Sequence, residues 1–103
     1  MMTHALAGQQ VTAAGALLAL VTRFADLPAA EFEIGSDPYR ADLMIHVHND
    51  PPGFEQWREA LDLDPQTANL NDLNDFQSVS ITARRYGARV KLVGYLPAPP
   101  TTA

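Results

Sequence analysis

The sequence predicts an α+β fold with the element order α-β-β-α-β-β, in which a four-stranded antiparallel sheet carries two helices on one face. Three observations lead to this class. An apolar segment near the N-terminus has helical spacing, two pairs of alternating segments are typical of hairpins, and a second amphipathic segment separates the pairs. At 103 residues, the chain is long enough for one domain whose core needs no disulfide, and it contains no cysteine.

The first predicted helix runs from about residue 3 to residue 25. Leu27-Pro28 ends it, because proline lacks the N–H and disfavours the helical conformation of the preceding residue. Residues 5–22 carry no charge. A helix that is apolar nearly all round is usually covered on more than one side, and a second subunit is a candidate for that cover. The apolar residues with helical spacing are Ala14, Leu17, Leu18, Val21, Phe24 and Ala25.

Four segments have the alternation of strands. "EFEI" and "ADLMIHV" flank the turn residues of "GSDPY", and "SVSITAR" and "RVKLVGYL" are joined around Tyr86-Gly87. Between the two hairpins, a second helix is predicted to begin near Asp50 as its N-cap, with prolines in the first turn. Its apolar stripe contains Phe54, Trp57 and Leu61. Residues 64–75, "DPQTANLNDLND", are predicted to form a loop with at most one short helical turn.

A shift of 47 residues lays the first hairpin over the second without a gap. It places Phe32 on Val79 and Ile45 on Leu92, for example. The chain then consists of two α-β-β units, residues 3–49 and 50–97, within a single domain of residues 1–97. A true duplication and a chance recurrence of strand pattern both account for the match. Residues 98–103, "APPTTA", are predicted to be a disordered proline-rich tail.

Side chains alternate between the two faces of a strand, so the second strand decides which face is buried. Leu43, Ile45 and Val47 must meet the helices, which leaves His46 and His48 on the opposite, open face. The predicted core consists of Leu17, Leu18, Val21, Phe24, Phe32, Ile34, Leu43, Ile45, Val47, Trp57, Leu61, Val79, Ile81, Val90 and Leu92.

The segment "HVHND" raises the question of a metal site. His46 and His48 are spaced to supply two ligands, but zinc needs three or four in a tetrahedral array. Asp50 is better used as the cap of the second helix, and His4 is distant in sequence. We therefore predict no metal site and a hydrated strand face whose histidines titrate near neutrality.

Charge is segregated along the chain. Residues 1–49, 50–75 and 76–103 carry net charges of −3, −6 and +4, within a total of −5. The positive segment predicts an alternative function, a nucleic-acid-associated accessory protein that uses the basic hairpin, because phosphate contacts supply most non-specific affinity. The acidic middle segment argues against this alternative. Its candidate residues are Arg84, Arg85, Tyr86, Arg89 and Lys91.

No catalytic motif is present in the sequence. Ser78 and Ser80 alternate on a strand rather than at a nucleophile elbow, and the glycines form neither a dinucleotide fingerprint nor a P-loop. Glu55 and Glu59 have the spacing of a solvated helix side. We predict a protein without enzymatic activity or cofactor.

The longest apolar run, "VTAAGALLALV", bears on location. Its eleven residues are too few to span a bilayer as a helix, which needs about 20. No Lys or Arg precedes it, whereas a signal peptide begins with positive charge. We predict a cytoplasmic protein that does not enter the membrane.

The open sheet face is the predicted interface of a protein-interaction module that self-associates, most simply as a homodimer, alongside a protein partner that the sequence does not identify. Aromatic, methionine and polar groups mixed together are typical of interface cores. The predicted interface residues are Met44, His46, His48, Thr82, Lys91, Val93 and Tyr95.

The stretch "IHVHNDPPGFEQWREALDL", followed by a strand that ends in "GYLP", resembles small uncharacterised proteins of high-GC bacteria and their phages or plasmids. The resemblance covers residues 17–97, and "FEQWREAL" is its most specific part. It implies a stand-alone module with an accessory role in a mobile element. It implies no substrate, cofactor or site residue.

Overall fold

The computed structural model describes residues 6–36, 40–73 and 75–97. The predicted tail, the predicted start of the first helix and residues 37–39 of the predicted first turn lie outside them. In chain order, the elements are a 3₁₀ turn (Ala7–Gln10), α1 (Val11–Arg23), β1 (Glu31–Ile34), β2 (Leu43–His48), α2 (Pro51–Ala60), a 3₁₀ turn (Pro65–Thr67), β3 (Asn69–Leu73), β4 (Phe76–Arg85) and β5 (Ala88–Pro97).

The strands form one five-stranded sheet in the order β1-β2-β5-β4-β3. All neighbouring strands are antiparallel except β2 and β5, which are parallel. The predicted α+β class with two helices is confirmed, and the prediction of a four-stranded antiparallel sheet is wrong. The sheet is mixed and contains one more strand, because residues 69–73, predicted as loop, pair with β4 along the edge of the sheet.

The extra strand also explains the parallel pair. The chain reverses direction at α2, at β3, at β4 and again at β5, so β5 runs the same way as β2. Without β3 the count of reversals drops by one, and the same argument gives an antiparallel pair. Parallel neighbours require a long crossover connection, and here α2, β3 and β4 together provide it.

The 47-residue shift found in the sequence recurs in the sheet. In the parallel pair, Leu43 lies beside Val90 and Ile45 lies beside Leu92. Residues that the shift aligns are therefore direct neighbours, on the same face of adjacent strands. The two hairpins join through their second strands, and those strands form the centre of the sheet.

The core lies between the helices and one face of the sheet, which contributes Leu43, Ile45, Val47, Ile81, Val90 and Leu92. The predicted parity of β2 is confirmed, since Ile45 is fully buried while His48 is exposed. Trp57 of α2 is also buried, and its indole N–H donates to the carbonyl oxygen of Pro28 at 2.9 Å. Five other predicted core residues are half-buried, namely Leu17, Phe24, Phe32, Ile34 and Val79.

The predicted phase of α1 is wrong. Leu18 is 68% exposed and Val21 lies at the surface, whereas Leu20 is fully buried. Ala13 and Ala16 complete the buried stripe. Nearly every residue of this helix is apolar or small, so the spacing rule fits several stripes of the helix surface equally well. In the structure, the stripe that faces the sheet is the one with two alanines, whose small side chains allow the helix backbone to lie close to the sheet.

The cap of α2 is as predicted. The Asp50 carboxylate accepts a hydrogen bond from the backbone N–H of Gly53 at 3.0 Å, and Pro51 and Pro52 form the first turn. Close contact between α2 and β5 requires a glycine in the strand. A Cβ at Gly94 would lie 2.6 Å from the ring of Phe54, so a larger residue would push the helix away.

Candidate functional site: the open sheet face

The open face is the side of the sheet opposite the helices. All seven predicted interface residues lie on it, as the strand register shows: Met44, His46, His48, Thr82, Lys91, Val93 and Tyr95. Two of them offer little surface, since Met44 and Val93 are each only 6% exposed. They lie nearly buried among the polar side chains of the face. What the face presents outward is therefore set by the groups at its two ends.

One end of the open face is an aromatic cluster, here called the aromatic end, formed by the rings of His46, His48, Phe76 and Tyr95. Tyr95 is its centre. The His48 ring stacks on it with centroids 4.6 Å apart and planes 8° apart, and the His46 ring stacks at 5.7 Å. Phe76 contacts Tyr95 from the other side at 5.9 Å, tilted by 59°. A shallow cavity of about 590 Å³ opens beside this cluster and is also lined by Asp75.

A chain of hydrogen bonds fixes the ring of His46. Its Nε2 lies 3.0 Å from Oε1 of Glu33, and its Nδ1 lies 3.0 Å from the hydroxyl of Tyr95. A carboxylate can only accept, so the Nε2–H of His46 donates to Glu33. In the neutral ring Nδ1 is then an acceptor, and the Tyr95 hydroxyl donates to it. The contact thus assigns the Nε2–H tautomer and directs the phenol proton inward.

Burial raises the pKa of Tyr95 above its ordinary value, and the nearby carboxylates of Glu33 and Glu31 raise it further. Each of these causes favours the neutral phenol. Tyr95 therefore stays protonated and continues to donate to His46 when the solution is mildly alkaline. The phenol is a fixed donor rather than a nucleophile.

The raised pKa of Tyr95 predicts an alkaline loss of stability. The unfolded chain releases this proton near pH 10, below the folded pKa, so the stabilisation is complete below about pH 10 and is lost as the pH rises through the folded value. We expect the urea midpoint of the wild type to fall more steeply above about pH 10 than that of Tyr95→Phe. Parallel curves for the two proteins would contradict the assignment.

Each of the two histidines lies close to a carboxylate of β1: His46 to Glu33 and His48 to Glu31. Nε2 of His48 lies 3.7 Å from a carboxylate oxygen of Glu31, and both side chains are largely exposed. Within the described residues, no three His, Asp or Glu side chains come together in a way that could hold a metal ion. The absence of a metal from the working protein stays a prediction.

The other end of the open face is cationic, and we call Arg40, Arg84, Arg89 and Lys91 the basic end. Arg84 and Arg89 are direct partners across the β4–β5 hairpin. That hairpin is closed by Tyr86 and Gly87, both at positive φ, a tight turn that fixes the register. Along β5, Arg89 precedes Tyr95 by six residues, so these two residues lie about 20 Å apart. The two ends adjoin in the middle of the face, where Glu33 lies 3.8 Å from Arg40 and 3.0 Å from Nε2 of His46.

The five candidate residues of the basic hairpin do not all lie on one face of the sheet. Arg85 points to the helix side of the sheet, where its guanidinium donates to the carbonyl oxygens of Leu61 and Asp62 at 2.7 Å. Arg85 thus binds the end of α2 and is not available to a ligand on the open face. Tyr86 occupies the tip of the turn. Of the five candidates, only three share the open face: Arg84, Arg89 and Lys91.

Sequence reasoning missed Phe76, Asp75 and Arg40. The predicted strand began at Ser78, yet two-residue periodicity places Phe76 on the same face as Ser78, and this would have found it. Arg40 precedes β2, so its place in the basic end depends on the path of the chain before the strand begins. Its guanidinium lies 3.8 Å from Glu33. No periodic signal marks such a position.

No protein-family model matches the chain, and neither curated proteins nor solved structures include a match to it. The mobile-element role implied by the sequence resemblance stays a prediction. Among the described residues, none of the helices has both the length and the apolar character needed to cross a membrane.

Proposed function

We propose that the protein is a non-enzymatic interaction module that forms a homodimer through its open face. One observation carries the proposal. The same face bears a basic end and, in the adjoining rows of the sheet, an aromatic end whose surroundings include the carboxylates of Glu31, Glu33 and Asp75. A surface with opposite character at its two ends is complementary to a second copy of itself.

The direction of the symmetry axis determines whether opposite ends of the two copies meet. A homodimer is usually related by a two-fold axis, and for two sheets packed face to face that axis lies between them. If the axis runs along the strands, like ends meet and the cations repel. If it runs across the strands, each basic end meets the aromatic end of the other copy. The second arrangement is the one we propose.

The chemistry at both contacts is favourable. Arg84 and Lys91 of one copy meet Phe76, which is 38% exposed, and the carboxylates of the other, so cation–π contacts and ion pairs form together. Aromatic residues and arginine are enriched in interface cores. Met44 lies beside Lys91 and Val93 lies beside His46, so these two nearly buried apolar side chains occupy the middle of the face, where the two ends adjoin.

Complementary charge reversal tests the proposal. Arg84→Glu/Lys91→Glu reverses the basic end, and Glu31→Lys/Asp75→Lys reverses the aromatic end. In each pure variant, like charges meet at both contacts of the dimer, so we expect monomers in sedimentation experiments at micromolar concentration, where the wild type is a dimer. In an equimolar mixture, every contact again joins opposite charges, and we expect a heterodimer.

Arg23→Glu is the matched control, because Arg23 is an exposed cation on α1, away from the open face. It should leave the dimer intact. A monomeric wild type rejects self-association. A dimer that survives both charge reversals places the interface elsewhere, most simply on the exposed side of α1.

A further inference from the structure

A depression in the basic end forms a separate feature of the open face, with a volume of about 310 Å³. Its lining residues are Arg40, Ala41, Met44, Thr82, Arg89 and Lys91. Three of these are cations and one carries a hydroxyl, while no carboxylate of residues 6–36, 40–73 and 75–97 lines the depression. The depression is thus surrounded by hydrogen-bond donors, and the charged ones are all positive.

The strand register builds this arrangement. Met44, Lys91 and Thr82 form one row across β2, β5 and β4, so Lys91 rises between a nearly buried methionine and a hydroxyl. The next row contains Arg84 and Arg89 as direct partners.

Two carboxylates of the described residues contact Arg40 and Arg89 but do not line the depression. Asp42 accepts a hydrogen bond from the backbone N–H of Arg89 at 2.8 Å, and Glu33 pairs with Arg40 at 3.8 Å. The Arg89 guanidinium also donates to the carbonyl oxygen of Arg40. Arg40 and Arg89 are thereby held close to each other. No carboxylate of the described residues forms an ion pair with Lys91.

We propose that the depression binds the phosphoryl group of a small molecule, such as inorganic phosphate, pyrophosphate or a nucleoside diphosphate. Planar guanidinium groups match phosphate oxygens in pairs, an ammonium adds a point charge, and a threonine hydroxyl donates one more hydrogen bond. The volume is at the small end of the range of ligand pockets, about 300–1,000 Å³. It suits a phosphoryl group with the rest of the ligand extending outward.

This site goes beyond the proposed dimer and does not depend on it. A second copy would cover the basic end, so phosphate and dimerisation should compete. At protein concentrations below the dimer dissociation constant, phosphate binding is a property of the monomer alone. Failure of one proposal therefore leaves the other standing.

Amide chemical shifts measured by NMR test the site, in the wild type and in the Glu31→Lys/Asp75→Lys variant, which we expect to be monomeric and whose basic end is unchanged. Inorganic phosphate, pyrophosphate and a nucleoside diphosphate are titrated separately, with ionic strength held constant by sodium chloride. We expect saturable shifts centred on Thr82 and Lys91, and tighter binding of pyrophosphate than of phosphate. A further gain for the nucleoside diphosphate would identify a nucleotide as the source of the phosphoryl group, and no gain would identify the inorganic ions.

Variants make the test specific. Lys91→Gln removes one charged hydrogen-bond donor and should weaken binding roughly tenfold, the loss expected for one charged hydrogen bond. Lys91→Arg should restore binding, which separates a lost contact from a damaged fold. Arg23→Gln removes the same charge far from the depression and should bind as the wild type does.

Three outcomes would overturn the proposal. One is a response that does not saturate or that sodium chloride alone reproduces. Another is equal binding by the wild type and Lys91→Gln. The third is a short single-stranded oligonucleotide that binds far more tightly than pyrophosphate at the same salt, because that would assign the basic end to nucleic acid.

Discussion

Truncating Ile45 to alanine is expected to lower the free energy of unfolding by about 2–5 kcal/mol, through lost transfer energy and the cavity left behind. Ile45 is fully buried in the centre of the sheet, between Phe32 of β1 and Leu92 of β5. Close packing on both sides limits how far the neighbours can collapse into the space. Urea unfolding monitored through the buried Trp57 measures the change.

The neighbouring residue provides the control. His46→Ala removes two hydrogen bonds, to Glu33 and Tyr95, but leaves both partners within reach of water. We expect a cost of about 1 kcal/mol. If His46→Ala proved more destabilising than Ile45→Ala, β2 would bury the opposite set of side chains, and the open face would have to be reassigned.

Strand faces were predictable because a strand offers only two choices. Once Leu43, Ile45 and Val47 occupy the helix side, His46 and His48 must occupy the other side. The same rule, applied to β4, separates Arg84 from Arg85, although the predicted basic surface combined them. The error came from treating adjacent residues of a strand as one surface.

Strand number was harder to predict. The segment "NLNDL" is rich in asparagine and aspartate, which are depleted in strands and enriched in turns. It forms β3 because β4 offers an unpaired edge, an interaction that local sequence does not encode. One missed edge strand then reversed the predicted direction of β5 relative to β2.

The details of the candidate site depend on cross-strand register. Parity places His46 and Tyr95 on the same face, but it does not bring the Tyr95 hydroxyl to Nδ1 of His46 or Glu33 to Nε2. Those contacts require β1, β2 and β5 to align as they do. The 47-residue shift in the sequence aligns the same residues of β2 and β5 that pair in the sheet. A shift by itself does not distinguish a repeat from a pairing of strands.

Two leucines that lie two residues apart in α1 should lose very different amounts of stability when each is replaced by alanine. Leu20 is fully buried and Leu18 is 68% exposed. Two residues correspond to a rotation of about 200° around the helix, so the two side chains project from opposite sides. We expect Leu20→Ala to cost about 2–5 kcal/mol and Leu18→Ala to change the free energy of unfolding by less than about 0.5 kcal/mol.

The pair is closely matched, because both changes replace leucine by alanine inside one helix and alter helix propensity equally. Measuring urea unfolding at several protein concentrations adds a second discrimination. If α1, rather than the open face, formed the dimer, Leu18 would be covered by the second copy. Leu18→Ala would then become destabilising as protein concentration rises, since a dimer gains stability by mass action. A small effect of Leu18→Ala at every concentration at which the wild type is a dimer leaves α1 uncovered and supports the open face as the interface.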